Sequence, residues 1–285
     1  MREVIIKTEK DQFFPGDLVR GHVMVTSDKD FTSNRIKLKV RGKEYTHYQA
    51  GKVHVTETHE LLHKDIIICE GGDFFSGSTQ FQFEFGLPDN IPPVHRGFRG
   101  KIDYTIEAVV EIDRAFDPKS KIELNVKSYP PMYIPEPVAE LVPIRKETDN
   151  LQVEIPTNIL RPNKALEIRF LVKERSRIKG VRIEILRQED VICKGSKLDS
   201  KISINEKHVP VMSDDYDRWI EESINMDWST LIPFEGKLIK TSLVLKVVLE
   251  VGLSLDPSIE FPLKLSGDRI DENIHTESID MDFEW

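Results

Sequence analysis

The chain is 285 residues long, 39% hydrophobic and 31% charged, and its 49 acidic against 40 basic side chains give a formal net charge of −9. That length suffices for two hydrophobic cores of ordinary size, no apolar run reaches the roughly 18–20 residues that cross a bilayer as a helix, and the acidic balance argues against nucleic acid as a partner. Only Cys69 and Cys193 are present, too few for a disulfide framework or a four-cysteine zinc site, and the charged start Met1-Arg2-Glu3 does not read as a signal peptide. A cytoplasmic location is expected.

In chain order, Val4, Ile6 and Thr8 alternate with charged residues and predict a first strand. Phe14-Pro15-Gly16-Asp17 predicts a tight reversal, because proline presets the first turn angle and glycine tolerates positive φ. Val19, Gly21, Val23 and Val25 then line one face of a second strand. From Arg35 onward Ile36, Leu38 and Val40 are expected to face inward, with Lys37, Lys39, Arg41 and Lys43 outward, neighbours lying about 6.6 Å apart. This cationic row is either a solvated face that blunts edge pairing or an anion-binding face for acidic or phosphorylated partners, or for the chain's own tail.

His59-Glu60-Leu61-Leu62-His63 has the HExxH spacing with which a helix presents two zinc-binding histidines and a glutamate base. Its flanks, Val53 and Val55 upstream and the β-branched Ile66-Ile67-Ile68 downstream, predict strand instead. His59 and His63 are therefore a minor metal candidate, and a zinc hydrolase the remotest functional reading. Phe74 and Phe75 follow in a glycine-flanked loop and make either a partner-binding tip or a hairpin folded onto the core.

Phe81, Phe83 and Phe85 alternate with Gln82 and Glu84, which predicts a half-buried strand. Gly86-Leu87-Pro88 and Ile91-Pro92-Pro93-Val94 then carry the chain from one sheet edge to another, and a strand begins at Lys101. This stretch and Phe14-Pro15-Gly16-Asp17-Leu18-Val19-Arg20-Gly21 together resemble the arrestin family, in particular its arrestin domain-containing (alpha) branch. The resemblance implies an all-β chain of two tandem immunoglobulin-like β-sandwiches. It also implies a non-enzymatic adaptor or scaffold that binds membrane-protein cytoplasmic tails, phosphorylated segments or trafficking partners through sheet edges and loops, in the cytoplasm or peripheral to membranes. A loop near Phe74 and Phe75 engages membrane-protein partners in such proteins. A structural or coat-type subunit similar to the retromer subunit of this fold is the alternative.

Five prolines between residues 129 and 149 predict a linker, and Pro130-Pro131-Met132-Tyr133 within it fits PPxY, the ligand pattern of WW-domain proteins. Beyond it the first pattern returns. An offset of 147 carries Pro15 to Pro162, Val23 to Phe170, Val25 to Val172, Ile36 to Ile183 and Leu38 to Ile185, which reads as an internal duplication. The second copy has Arg182, Glu184, Leu186 and Gln188 where the first has its cations. Around Ser213 the alternation breaks, and Tyr216, Trp219, Ile220 and Ser223 would share one face of a short helix or turn capped by Ser213.

The last 20 residues carry one basic and seven acidic groups, six of the nine net negative charges. There Ile279, Met281, Phe283 and Trp285 alternate with acids, which predicts an edge strand that docks on the first domain and yields to a partner. The expected organisation is a first sandwich over 1–128, a Pro-rich linker over 129–149, a second sandwich over 150–265 and an acidic tail over 266–285. No P-loop, nucleophile elbow or dinucleotide fingerprint is present, and no cofactor is expected.

Overall fold

The computed structural model describes residues 2–113, 116–135, 143–161, 164–173, 178–225, 232–252 and 256–267. Alternation of apolar and polar residues becomes strand almost throughout. In the first part of the chain lie β1 (Arg2–Thr8), β2 (Leu18–Ser27), β3 (Phe31–Ser33), β4 (Arg35–Ala50), β5 (Val53–Cys69), β6 (Gly72–Phe74), β7 (Gly77–Gly86), β8 (His95–Arg96), β9 (Gly100–Glu111) and β10 (Lys119–Leu124). The remainder supplies β11 (Ile144–Glu147), β12 (Leu151–Ile155), β13 (Ile159–Leu160), β14 (Leu166–Val172), β15 (Ile178–Cys193), β16 (Ser196–Val209), β17 (Trp219–Ile224), β18 (Ile239–Val251) and β19 (Ser258–Leu265). The sheets run β1-β2-β7 and β10-β9-β4-β5, then β11-β12-β14-β17 and β13-β19-β18-β15-β16, with β3 and β6 paired on their own.

By contact density the chain divides into two units. The first comprises Met1–Tyr129, Leu186–Ser203 and Pro233–Leu243, and the second Pro130–Ile185, Ile204–Ile232 and Val244–Trp285.

In the first unit the inward rows of both sheets make one core. Val19, Val23, Ile36, Leu38, Val40, Ile102 and Ile106 are wholly buried, each worth about 1.5–3 kcal/mol of apolar transfer. The reversal at Phe14–Asp17 closes with the Asp17 N–H on the Phe14 carbonyl at 3.0 Å, and Gly16 sits at φ 82°, the left-handed angle its place in the turn demands. Gly21 has a different reason: a Cβ there would lie 2.7 Å from the Phe83 ring and against the Lys7 carbonyl. On β7, Phe83 and Phe85 stack in the core, with centroids 6.2 Å apart, while Phe81 packs against Phe74. After Leu87 the chain leaves the β1-β2-β7 sheet and joins the other one as β8, along β9. Tyr104, buried on β9, pins this crossover by donating its hydroxyl to the Pro92 carbonyl at 2.7 Å.

The second part of the chain repeats this plan at the level of register. Val4 faces Val25 and Ile6 faces Val23 between β1 and β2. Between β12 and β14, Leu151 faces Val172 and Val153 faces Phe170, each residue 147 positions on. The same offset takes Phe13, in a parallel bridge to Val126, to Leu160, which pairs in parallel with Leu265. The orders β10-β9-β4-β5 and β19-β18-β15-β16 correspond as well.

The segment at Ser213 departs from expectation. A 3₁₀ turn spans Ser213–Asp215, and it is the Asp215 carboxylate, accepting the Met212 N–H at 2.8 Å, that closes it. The Ser213 hydroxyl turns to Asp214 instead. Trp219 and Ile220 belong to β17, where Ile220 faces Phe170, so sheet pairing overrides the helical spacing.

Candidate functional site

Of the residues that the sequence singles out, Lys37, Lys39, Arg41, Lys43, His59 and His63 lie on the β10-β9-β4-β5 sheet of the first unit. Lys37, Lys39 and Arg41 do lie on one row of β4, but carboxylates on the flanking strands meet them. Lys37 pairs with Glu111, which Arg35 also holds at 2.6 Å, Lys39 lies 3.9 Å from Glu107, and Arg41 is 2.6 Å from Asp65. The row is therefore largely neutralised. Lys43, which is exposed, has no ion pair among the described residues. Hydrogen bonding to Lys37, and then the nearby Lys37 and Arg35 charges, hold the Glu111 carboxyl below its ordinary value; the Arg41 guanidinium does the same for Asp65.

HExxH lies wholly in strand β5. Gly42 faces Leu62 and Lys43 faces Glu60, so Leu61 is the extra residue of a bulge. The bulge shifts the phase: His63 lies opposite Arg41 on the outer face, whereas His59 lies opposite Glu44 on the core-facing side. The two histidines therefore point to opposite faces, contrary to the simple alternation that groups them. His63 Nδ1 instead lies 2.9 Å from the Glu60 carboxylate. Among the described residues no group of three or more His, Cys, Asp or Glu is placed to hold a metal ion.

Phe74 and Phe75 part company. Phe74 stacks on Phe31 at 5.1 Å and meets Phe81 edge-on at 5.8 Å, while Phe75 is 77% exposed. In the Pro130-Pro131-Met132-Tyr133 segment Tyr133 is 39% exposed, but the Arg161 guanidinium lies 5.6 Å from its ring centroid and Gly267 donates to the Met132 carbonyl. Ile279, Met281, Phe283 and Trp285 lie outside the described residues.

A buried polar cluster in the first unit has no counterpart in the sequence reading. Glu44 is 0% exposed, and its carboxylate accepts the backbone N–H groups of Lys237 at 3.0 Å and Ile239 at 2.7 Å. Next to it on its face of β4, Thr46 donates to the Ile192 carbonyl at 2.8 Å. His95 and Glu189, both buried, meet at 2.6 Å, and Glu189 also accepts the Arg99 N–H at 2.7 Å. The Phe234 ring packs edge-on against His95 at 5.1 Å. These contacts fasten residues 186–203 and 233–243 to the first sandwich. A signal was present in the phase of β4, where Glu44 and Thr46 fall on the inward row of Leu38 and Val40.

What remains open to a partner is backbone. Among the described residues β5 pairs only with β4 and ends its sheet, so alternate residues among its 17 turn their N–H and C=O groups away from β4, while the Lys64 carbonyl accepts from Arg41 at 2.9 Å and the Val55 carbonyl from Cys193 at 3.7 Å. His54, Thr56, Thr58, His59, Glu60 and His63 are exposed along it.

Residues 3–129 match the family model described as Arrestin (or S-antigen), N-terminal domain. No curated protein matches the chain.

Proposed function

We propose, from the match of residues 3–129 to the arrestin N-terminal domain, that the chain is a non-enzymatic adaptor that takes an extended segment of a membrane-protein cytoplasmic tail, or of a trafficking partner, as an added strand along β5. The observation that carries this reading is the length of the β5 edge, a strand of 17 residues with no proline, along which His54, Thr56, Thr58, His59, Glu60, His63 and Asp65 are exposed. Added strands gain affinity from main-chain hydrogen bonds and specificity from alternate side chains. Lys43 supports a preference for acidic or phosphorylated segments at one point of that surface. On this reading residues 1–128 are the partner-binding domain, 150–265 its second sandwich, and the acidic tail a segment that partners displace. WW-domain capture through Pro130, Pro131 and Tyr133 is a secondary route, available once the Arg161 side chain leaves the tyrosine ring.

An array of membrane-protein tail peptides, phosphorylated and plain, tests this. Adjacent residues of a strand aim their N–H groups to opposite sides, so of Thr58→Pro and His59→Pro one removes an outward amide and the other an amide bonded to β4. The variant that keeps native stability must lose peptide binding. Binding that survives in that variant rules out strand addition at β5. Removal of the chain from Ser266 onward is expected to raise peptide affinity if the tail competes for the same surface.

A further inference from the structure

Two phenylalanines at one end of the first sandwich are left in solvent by the fold, and we infer that they form a paired tip that seats in the interface of a lipid bilayer. Phe75 is 77% exposed and Phe116 is 99% exposed. Phe75 lies between β6 and β7, and Phe116 between β9 and β10. The segment that contains β3 ties both loops together. Asp30 accepts the Ser76 N–H at 2.7 Å, next to Phe75. Four residues further on, the Asn34 side chain donates to Asp113 at 2.6 Å, and its N–H to the Glu111 carbonyl at 2.8 Å. The Phe116 loop is closed by Asp117, which accepts the Ile112 N–H at 3.0 Å. Phe31, stacked on Phe74, roots the first loop in the core, so Phe74 is spent inward and Phe75 is turned out.

The chemistry at this end selects the occupant. Among the described residues the flanking charges are mixed: Arg2, Lys29 and Lys119 stand with Asp30, Asp73, Asp113 and Asp117, so these residues set up no cationic field that draws the tip to an anionic surface. The aromatics stand singly on polar loops rather than in a continuous apolar patch, and an interface with no fixed shape accepts separate aromatic side chains at the headgroup boundary. A pocketed protein partner, by contrast, would be met by a contiguous, packed anchor cluster. Two aromatics give a weak, reversible attachment, useful where a second contact is already made at the membrane. The inference does not depend on the strand-addition reading, because its test needs no peptide.

The test is co-sedimentation of the full chain with phosphatidylcholine vesicles at millimolar lipid. The Phe75→Ser and Phe116→Ser double variant is expected to lower the bound fraction about fivefold or more, each single variant less. Both side chains are exposed, so thermal unfolding should be unchanged. Phe98→Ser is the control: Phe98 is 64% exposed two residues before Gly100, which pairs with Thr46 at the other end of β4 from Arg35, and its loss should leave vesicle binding as it was. Absence of sedimentation with vesicles, equal loss on Phe98→Ser, or binding that appears only when phosphatidylserine is added would each overturn the proposal. The last outcome would place membrane contact on a cationic surface instead.

Discussion

Without the Glu44 carboxylate, the backbone N–H of buried Ile239 and that of exposed Lys237 have lost their acceptor. An orphaned buried donor costs about 1–3 kcal/mol, whereas an exposed one turns to water, so Glu44→Ala is expected to lower the unfolding free energy by about 1–3 kcal/mol, read by urea titration. Glu44→Gln should lose roughly half of that, since one oxygen still accepts. Tyr104 is the neutral counterpart: burial, with the Glu44 charge nearby, pushes its hydroxyl well above the ordinary tyrosine value, so it acts only as a donor to Pro92. Tyr104→Phe should cost about 1 kcal/mol by the same measurement. At Glu189, burial alone would raise the carboxyl; the bond to His95, the Arg99 N–H and the charges of His95 and Arg187 outweigh it and hold the group below the usual carboxylate range. Its contribution is then fully present above the unfolded value of about 4.3 and is lost as pH falls through the lower folded value. The stability difference between the native chain and Glu189→Gln should therefore shrink as pH falls below about 4. A difference that instead grew toward acid pH would mean that the native carboxyl is protonated more readily than the unfolded one.

At the scale of elements, the alternating rows were readable because apolar periodicity is local. Val19, Val23, Ile36, Leu38 and Val40 are buried where the period places them. Pairing across strands is not local. The row Lys37, Lys39 and Arg41 and the acids Glu107 and Glu111 are each visible as alternations, but only the register of β4 on β9 brings Lys39 opposite Glu107. The bulge at Leu61 was equally hidden, since a one-residue slip has no signature in hydropathy, and it separates two histidines that four-residue spacing seems to unite. A consequence follows for the cationic row. Glu107→Gln with Glu111→Gln should release Lys37 and Lys39 and strengthen binding of an acidic peptide at low salt, with the gain disappearing as ionic strength rises. Lys43→Glu in the native background should weaken the same binding without changing stability.

For the whole molecule, the offset of 147 residues survives as matched registers between β1-β2 and β12-β14, so the duplication was legible from a handful of apolar positions. The assignment of residues 186–203 and 233–243 to the first unit was not. It rests on Glu44, Thr46 and Glu189, polar residues on inward rows, and sequence alone gives no distance between Glu44 and Ile239. The family match over 3–129 fixes the kind of fold that bears these surfaces, while the open β5 edge suggests how a partner is held. Hydrogen exchange across β5, Val53–Cys69, with and without a saturating tail peptide selected from the array, tests that most directly. Strand addition predicts that alternate β5 amides slow on binding while the buried strands β4 and β9 keep their rates. Bound peptide that leaves β5 exchange unchanged and protects another segment would contradict it.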